Sequence, residues 1–347
     1  MSFFNSSRFI TLEHYISSEK DKHPGATGEF TYLLHDLALA IRIISREVRR
    51  AGLNDIIGMA GDTNVHGEQV KKLDVYANEV IIQSMDHGGH LCVMASEENE
   101  HPIPIPDKFD KGKYILVFDP LDGSSNIDIN VTIGTIFGLY KRTDDSSDTD
   151  MDTLTKQIIQ PGYKQVAAGY ALYGSSTVFV YTTGQGVNMF TYDPTIGEFI
   201  LFHENVKIPK KASYYSVNEG YYNFYSDELK QYLQYIKQDK AEKDLPYKLR
   251  YIATGVADFH RTLLYGGLFM YPSDSRSPNG KLRLVYEANP LAFLAEQAGG
   301  RATDGVNRIL DIKPTNIHQR VPLFIGSKEN VLEVESFLKG DLKFDKC

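Results

Sequence analysis

Apolar residues recur along this chain with two different periods. From Tyr32 to Arg50, Leu33, Leu37, Ile41, Ile44 and Val48 fall on one stripe, the spacing of an amphipathic helix, and Gly52 follows as a stop. A second helix is expected from Glu68 to Ser84, with Val70, Leu73, Val80 and Ile81 facing inward. Unbroken apolar runs then take over. Leu91–Ala95, Tyr114–Phe118 and 132–140 are short and bounded by polar residues, so they read as buried strands. The polar, acidic, Ser-rich stretch from Thr143 to Asp152 reads as a solvated loop. Ala167–Tyr173, Thr177–Tyr181, Val187–Phe190 and Glu198–Phe202 are short strands separated by turn residues such as Gly184-Gln-Gly186 and Asp193-Pro194, so this section should be antiparallel. Val206–Lys211 is basic and contains a proline, as expected of a junction between residues 1–207 and 208–347. Beyond it, Asp227–Lys240 and Asn289–Gln297 read as helices, the second ended by Gly299-Gly300. Mixed helical and strand patterns of this kind place the chain in the α/β (α+β) class.

Chemistry concentrates where two of these strands end. Asp119-Pro120-Leu121-Asp122-Gly123-Ser124-Ser125 follows the run Tyr114–Phe118 directly. Pro120 fixes its own φ and removes a donor, which stiffens the segment. Gly123 lets backbone N–H groups come close to an anion. Mg²⁺ prefers one or two carboxylates together with substrate phosphate, so the segment suits a metal-bridged phosphate. A capped turn after a strand is the plain alternative. A second acidic cluster, Ser96-Glu97-Glu98-Asn99-Glu100, ends the run Leu91–Ala95. Adjacent carboxylates repel unless a cation or solvent lies between them. If the two strands are neighbours, Glu97, Glu98, Asp119 and Asp122 meet at one sheet edge, where ligands of α/β sheets collect.

The charge balance narrows the classes of partner. The 347 residues carry a formal charge of -8 and no basic stretch, which argues against nucleic acid as a partner. An anionic ligand would need metal and local Lys or Arg to offset repulsion. No apolar run approaches the ~20 residues that span a bilayer. The N-terminus lacks a signal-peptide core, and Asp345-Lys346-Cys347 is neither a peroxisomal address nor a prenylation box. Of the two cysteines, Cys92 lies in an apolar strand and is expected as a buried thiol, whereas Cys347 is terminal. That usage predicts no structural disulfide, a reducing compartment and a cytoplasmic location. His87-Gly-Gly-His90 has no second ligand pair, so a Zn²⁺ site is not expected there and the histidines read as solvated loop residues.

Phe118-Asp-Pro-Leu-Asp-Gly-Ser-Ser-Asn-Ile-Asp128, with Gly134-Thr-Ile-Phe-Gly138 after it, resembles the fructose-1,6-bisphosphatase family. The Asp-Pro-Leu-Asp-Gly core also resembles the inositol monophosphatases and alone marks only the superfamily. Gly61-Asp-Thr-Asn64, Gln69–Asp74, Ser96–Glu98, Ala168–Gly174, Asn218–Tyr221, Tyr265–Gly267, Ser277–Arg283 and Val285–Pro290 narrow the match. The similarity runs from about Thr11 to Gly326. It implies a layered α/β/α/β/α sandwich of the sugar-phosphatase type and a homotetramer. It also implies hydrolysis of the 1-phosphate of D-fructose 1,6-bisphosphate to fructose 6-phosphate in gluconeogenesis, with allosteric inhibition by AMP. Residues 1–207 would form the allosteric and metal-site domain, and 208–347 the sugar-phosphate domain. The cysteine-bearing regulatory insertion of chloroplast members has no counterpart here.

The resemblance also carries residue roles. Glu97, Asp119, Asp122, Glu287 and the carbonyl of Leu121 would hold Mg²⁺, with Mn²⁺ or Zn²⁺ as substitutes. Glu68 would be an outer ligand; Asp is usual there in the animal enzymes, and Glu reaches one methylene further. Asp74 and Glu98 would orient and deprotonate the attacking water. Without the resemblance Asp74 reads as an exposed helix carboxylate. Asn64 would belong to a loop that closes over the metals, and Asp62 stands where many relatives have a small residue. Gly123, Ser124 and Ser125 would cradle the 1-phosphate. Asn218, Tyr221, Tyr251 and Tyr271 match the ligands of the 6-phosphate, and Lys281 would contact sugar and phosphate. Arg250 matches an arginine that reaches into a neighbouring subunit's site. Lys281 and Arg283 read equally well as the exposed face of an alternating strand, and Arg283 is given no role.

Ala26–Thr31 resembles the AMP-binding turn of the family, so Thr27, Gly28, Glu29 and Thr31 would bind the nucleotide with Lys113, Tyr114 and Lys141. Lys141 replaces the usual Arg and loses bidentate phosphate geometry, which implies weakened inhibition. Thr27-Gly28-Glu29 as a simple helix cap is the alternative. Two other functions fit the same residues: a sedoheptulose-1,7-bisphosphatase, and a non-catalytic sensor of AMP and sugar phosphate. A sensor has no need for all of Asp74, Glu97, Glu98, Asp119, Asp122 and Glu287.

Overall fold

Alternation along the central strands decides the layering. In the computed structural model, which describes residues 9–19, 28–51, 53, 59–63, 69–143, 150–241 and 244–344, Leu116 and Phe118 face one side of a sheet while Ile115 and Val117 face the other. That sheet has eight strands. Its order is Glu198–His203, Asn188–Asp193, Thr177–Thr182, Ala167–Tyr173, Ile133–Lys141, Tyr114–Asp122, Leu91–Ser96 and Ile103–Pro104. Neighbours are antiparallel except Leu91–Ser96 and Tyr114–Asp122, which run parallel. The two acidic clusters therefore emerge at the same edge, as their sequence pattern requires.

Helices cover both faces. The Gly28–Val48 and Lys72–Met85 helices bury Leu33, Leu37, Ile41, Ile44, Leu73 and Ile81 with Phe137 and Phe179 of the sheet. On the opposite face the Gly255–Tyr265 and Asn289–Gln297 helices place Val256, Phe259, Leu291 and Leu294 among Tyr170, Val180, Phe269 and Ile325. The last two belong to a second sheet of order Lys248–Leu249, Tyr214–Ser216, Leu268–Tyr271, Leu323–Gly326 and Arg301–Thr303. Its far side packs Leu268, Met270 and Phe324 against Leu229 and Tyr232 of the Asp227–Tyr235 helix and Val331 and Phe337 of the Lys328–Leu338 helix. The result is the expected α/β/α/β/α order, with helix stripes of period 3.6 matched to strand faces of period 2.

Several boundaries differ from the sequence expectation. The helix expected from Glu68 begins at Lys72, because Gln69–Lys71 pairs as a short strand with Met59–Thr63. The backbone N–H of Lys71 donates to Asp74 Oδ2 at 3.1 Å, and this bond ties the chain entering the helix to its first turn. The helix expected from Asp227 to Lys240 stops at Tyr235. The expected loop 143–152 runs at its end into a helix from Met151 to Ile158, where Asp150 caps the N–H groups of Asp152 and Thr153. Asp119–Asp122 is no loop: the strand continues to Asp122, pairs Asp119 with Ile136 and Asp122 with Gly134, and bulges between them. Cys92 is buried, as expected.

Among the buried polar groups, Tyr170 and His260 tie the first sheet to the Gly255–Tyr265 helix. The Tyr170 hydroxyl lies 2.7 Å from His260 Nδ1. Burial pulls the His260 pKa down from 6.5 to about 4. The unfolded chain therefore binds a proton here that the folded chain refuses, so stability contributed by neutral His260 is complete above pH 6.5 and is lost as pH falls toward 4. From one pKa unit being worth about 1.4 kcal/mol, the loss at pH 5 relative to pH 7 is about 2 kcal/mol. Urea unfolding at pH 5 and pH 7 should show that loss in the native protein. The loss should shrink in H260Q, and an unchanged pH slope in H260Q refutes the assignment.

Candidate active site

The parallel strand pair delivers its acids into one cleft of about 350 Å³. Ligand oxygens of Asp119, Asp122 and Glu287 lie within 4.8 Å of one another, and all three side chains are buried. Each carboxylate is held by a backbone N–H: Leu121 donates to Asp119 Oδ1 at 2.9 Å, Val256 to Asp122 Oδ2 at 2.6 Å and Arg283 to Glu287 Oε2 at 2.5 Å. The Val256 donor sits in the first turn of the Gly255–Tyr265 helix, whose dipole favours a negative charge. Gly123 follows at φ 84°, and a Cβ there would lie 2.5 Å from Thr254 Oγ1, so only glycine allows this close approach.

Glu97 and Glu98 form the adjacent turn. Ser96 anchors it by donating from Oγ to Asn78 Oδ1 at 2.7 Å and accepting from the Glu98 N–H at 3.2 Å. The Arg283 guanidinium meets Glu97 at 3.1 Å. Asp74, Glu97, Glu98, Leu121, Gly123, Ser124, Ser125, Tyr271 and Lys281 all line the same cleft. Asp74 is 3% exposed, so its reading as a solvated helix carboxylate is wrong: it turns inward at the helix start. Arg283, given no role from sequence, is 7% exposed and sits inside the acidic cluster. The alternation Lys281-Leu-Arg283 does put both cations on one face, but that face is the cleft. Arg320 is the other residue the sequence missed. It pairs with Arg283 across the Leu282–Arg283 and Arg320–Val321 ladder and lines the mouth.

Burial pushes the Asp119 and Glu287 carboxyls well above the usual carboxylate range, and neighbouring Glu97 pushes both further. Burial raises Asp122 to about 7, against the pull of its Val256 hydrogen bond. Hard oxygen donors this close, dry and mutually repelling suit a divalent cation, whose charge would replace the missing solvent. Asp119, Asp122 and Glu287 thus fit a metal, with Glu97 beside them. Among the described residues no histidine joins a candidate metal group. His90 is not a purely solvated loop residue, since it stacks on Tyr32 at 5.6 Å.

A second pocket of about 170 Å³ opens beside the first and shares Ser125, Ala253, Tyr271 and Lys281 with it. Asn218, Tyr221 and Tyr251 complete its wall with Tyr225 and Asp274. The Lys281 ammonium lies 4.6 Å from the Tyr221 ring centre. Arg250 lines neither pocket of its own chain; its Nη1 donates to the Leu249 carbonyl at 2.7 Å. At the start of the Tyr114–Asp122 strand, Lys113 pairs with Glu29 at 2.6 Å and Tyr114 lies opposite Lys141 in the sheet. Gly28 and Thr31 occupy the first turn of the Gly28–Val48 helix, so this set is also brought together. Thr27, Asn64 and Glu68 lie outside the described residues, as does the side chain of Asp62.

A layered sandwich with buried carboxylates and a phosphate-sized pocket at one sheet edge is the arrangement of a sugar phosphatase. Two family profiles match the chain: "Fructose-1-6-bisphosphatase, N-terminal domain" over residues 10–204 and "Fructose-1-6-bisphosphatase, C-terminal domain" over residues 208–339. The class 1 fructose-1,6-bisphosphatase of Chloroherpeton thalassium is 58% identical over 342 residues, covering 97% of this chain and 96% of the relative. The crystal structure of the holo form of Leishmania major fructose-1,6-bisphosphatase is 41% identical with a TM-score of 0.90, covering 96% of this chain and 100% of the other. Its T-state structure is 42% identical with a TM-score of 0.85, covering 95% and 99%. The chain belongs to the fructose-1,6-bisphosphatase family.

The like-charge cluster predicts how stability responds to metal. Mg²⁺ or Mn²⁺ should raise the melting temperature of the native protein, because binding favours the folded state. E287Q removes one carboxyl from the cluster, so it should melt no lower than the native protein without metal and gain much less on adding it. An equal metal-induced shift in both proteins rules out Glu287 as a ligand.

Proposed function

We propose that the chain hydrolyses the 1-phosphate of D-fructose 1,6-bisphosphate to D-fructose 6-phosphate and phosphate, in gluconeogenesis, in the cytoplasm. The observation that carries this reading is the joining of two pockets by Ser125, Ala253, Tyr271 and Lys281: one holds the carboxylate cluster, the other phenol, amide and ammonium donors with Asp274 as its single carboxylate. A bisphosphate needs both, with its reacting end among the acids and its inert end among donors that do not attack phosphorus. No described helix is long and apolar enough to cross a membrane.

Asp119, Asp122, Glu97, Glu287 and the Leu121 carbonyl would hold Mg²⁺, with Mn²⁺ or Zn²⁺ able to replace it, and Glu68 would stand outside them. Bound divalent ions supply charge neutralisation at the phosphoryl oxygens and lower the pKa of coordinated water. Gly123, Ser124 and Ser125 orient the 1-phosphate. Asp74 and Glu98 hold the attacking water and accept its proton as the oxygen bonds to phosphorus and the ester bond to the sugar O1 breaks. Asn218, Tyr221, Tyr251 and Tyr271 donate to the 6-phosphate, and Lys281 spans both ends. Arg250, which lines neither pocket of its own chain, would reach the site of a neighbouring subunit in a homotetramer. Residues 1–207 carry the metal side and 208–347 the sugar-phosphate side. The eight-stranded sheet ending at His203 and the five-stranded sheet beginning at Tyr214 support that division.

Gly28, Glu29, Thr31, Lys113, Tyr114 and Lys141, with Thr27, would bind AMP as an inhibitor. The Glu29–Lys113 pair and the Tyr114–Lys141 register support the grouping. Lys141 offers a point charge where a guanidinium would bind bidentately, so inhibition is expected to be weak.

Phosphate release with Mg²⁺ tests the reading. Fructose 1,6-bisphosphate should be cleaved far faster than sedoheptulose 1,7-bisphosphate or inositol 1-phosphate. E98Q should lose turnover by about a hundredfold or more, the usual loss of a general base, while keeping its circular dichroism spectrum. Binding of the bisphosphate without any turnover in the native protein would favour the sensor. For the nucleotide, AMP should inhibit the native enzyme and inhibit K113A less; full activity of the native enzyme at millimolar AMP would remove the regulatory site.

A further inference from the structure

The segment between the two pockets is an unusual stretch of backbone. Tyr251 lines the phosphate pocket, Ala253 lines both pockets, and the amide of Val256 holds the buried carboxylate of Asp122. Between them the chain reverses through Ala253 at φ 67°, a left-handed conformation that disfavours any residue with a Cβ. Such a bend persists only if something fixes it.

One side chain does so. Asp258 is 1% exposed on the Gly255–Tyr265 helix. Its Oδ1 accepts from the Ile252 N–H at 3.0 Å and from the Ser216 hydroxyl at 2.6 Å. Its Oδ2 accepts from the Ala253 N–H at 3.0 Å and from the Ile252 N–H at 3.2 Å. Ser216 closes the Tyr214–Ser216 strand, two residues before Asn218 of the phosphate pocket. The bend is also pinned from the other side, where Asn126 donates to Thr254 Oγ1 at 2.5 Å and Thr254 donates to the Thr132 carbonyl at 2.8 Å. Asp258 touches neither pocket, yet its carboxylate joins the strand that leads to Asn218, the bend that carries Tyr251 and Ala253, and the helix whose first turn grips Asp122.

We propose that Asp258 is a positioning residue that sets the spacing between the phosphate pocket and the metal cleft, and so the fit of a substrate with two phosphates. This rests on the bisphosphatase reading above. The acceptor geometry demands a carboxylate. An Asn at 258 would keep one oxygen and turn an NH₂ toward an N–H that needs an acceptor, leaving a buried donor facing a donor. The bend would then relax out of the left-handed region, moving Tyr251 and Ala253 on one side and the Val256 amide on the other.

The test compares native enzyme, D258N and S216A in the same Mg²⁺-dependent phosphate-release assay, with thermal melts alongside. The native enzyme must cleave fructose 1,6-bisphosphate; if it does not, the functional reading fails before the positioning role is examined. With native activity present, D258N should raise KM for the bisphosphate and the Mg²⁺ concentration for half-activation together, each by about tenfold, as expected from losing a hydrogen bond to a charged group. Adding A253G, which accepts the left-handed φ without strain, should recover part of the KM increase. A purely structural role would lower the melting temperature and the amount of active enzyme while leaving both concentration dependences unchanged, and that outcome overturns the proposal. Should D258N fail to fold, S216A decides. It removes one of the bonds and should raise KM about twofold to threefold with little change in melting temperature. An unaltered KM in S216A then refutes the role.

Discussion

Everything in this site depends on holding negative charges together where water cannot separate them. Asp119, Asp122 and Glu287 are buried, close and of like sign, an arrangement that resists ionisation until a cation arrives. The fold tolerates it because each carboxylate is fixed by a backbone N–H from a rigid element. Leu121 belongs to the strand itself, Val256 to a helix start, and Arg283 to the short ladder with Arg320. None of these donors can swing away as a side chain could. These donors keep the oxygens facing one another, and a bound cation would supply the positive charge that lets all three carboxyls ionise.

A second constraint follows from the first. Asp119 and Asp122 sit at the end of one sheet, while Asn218, Tyr221 and Tyr271 of the second pocket come from the other sheet and its loops. Only a few residues belong to both pockets, and they include the Tyr271 hydroxyl, the Lys281 ammonium and the Ala253 backbone. Their placement depends on how the middle helix layer spaces the two sheets. Phe259 and Leu291 fill that layer with Phe269 and Ile325, so packing there controls the distance between pockets. If the two pockets take the two ends of a bisphosphate, selectivity over a monoester would depend on core packing as much as on the polar lining.

Much of this was legible in the chain because it is local. The strand runs, the helix stripe from Leu33 to Val48 and the acids following each strand need only neighbouring residues to be recognised. Asp119-Pro-Leu-Asp122 announced a site but not its shape, because a bulged strand and a loop share the same turn-forming residues. Asp74 misleads for a related reason. A carboxylate near a helix start is usually solvated, and only packing against the neighbouring strand shows that it turns inward. Arg283 and Asp258 were illegible because their meaning is entirely tertiary. Arg283 earns its place through Glu97, far away in sequence, and Asp258 through Ser216 and a left-handed alanine that no propensity predicts. The missed Met151–Ile158 helix follows an acidic, serine-rich stretch and has only 8 residues, too few for its Leu154–Ile158 stripe to stand out from the polar positions around it.

The strand that carries Asp119 and Asp122 also begins with Tyr114, beside Lys113 and the Glu29 ion pair. At about 3.3 Å per residue, Tyr114 and Asp119 stand roughly 17 Å apart along it. A nucleotide bound at the near end could not touch the cleft at the far end. Nor could the strand itself transmit a shift by stretching, since it is paired on both sides by Leu91–Ser96 and Ile133–Lys141. The helices on that face pack on the sheet through the apolar core they share with it. The Gly28–Val48 helix carries Glu29 and packs beside the Lys72–Met85 helix, and the latter carries Asp74 into the cleft. If a ligand at one end of the strand is coupled to the cleft at the other, this helix pair is the physical connection between them: a ligand favouring one seating of the first helix would bias the second, and with it the position of Asp74.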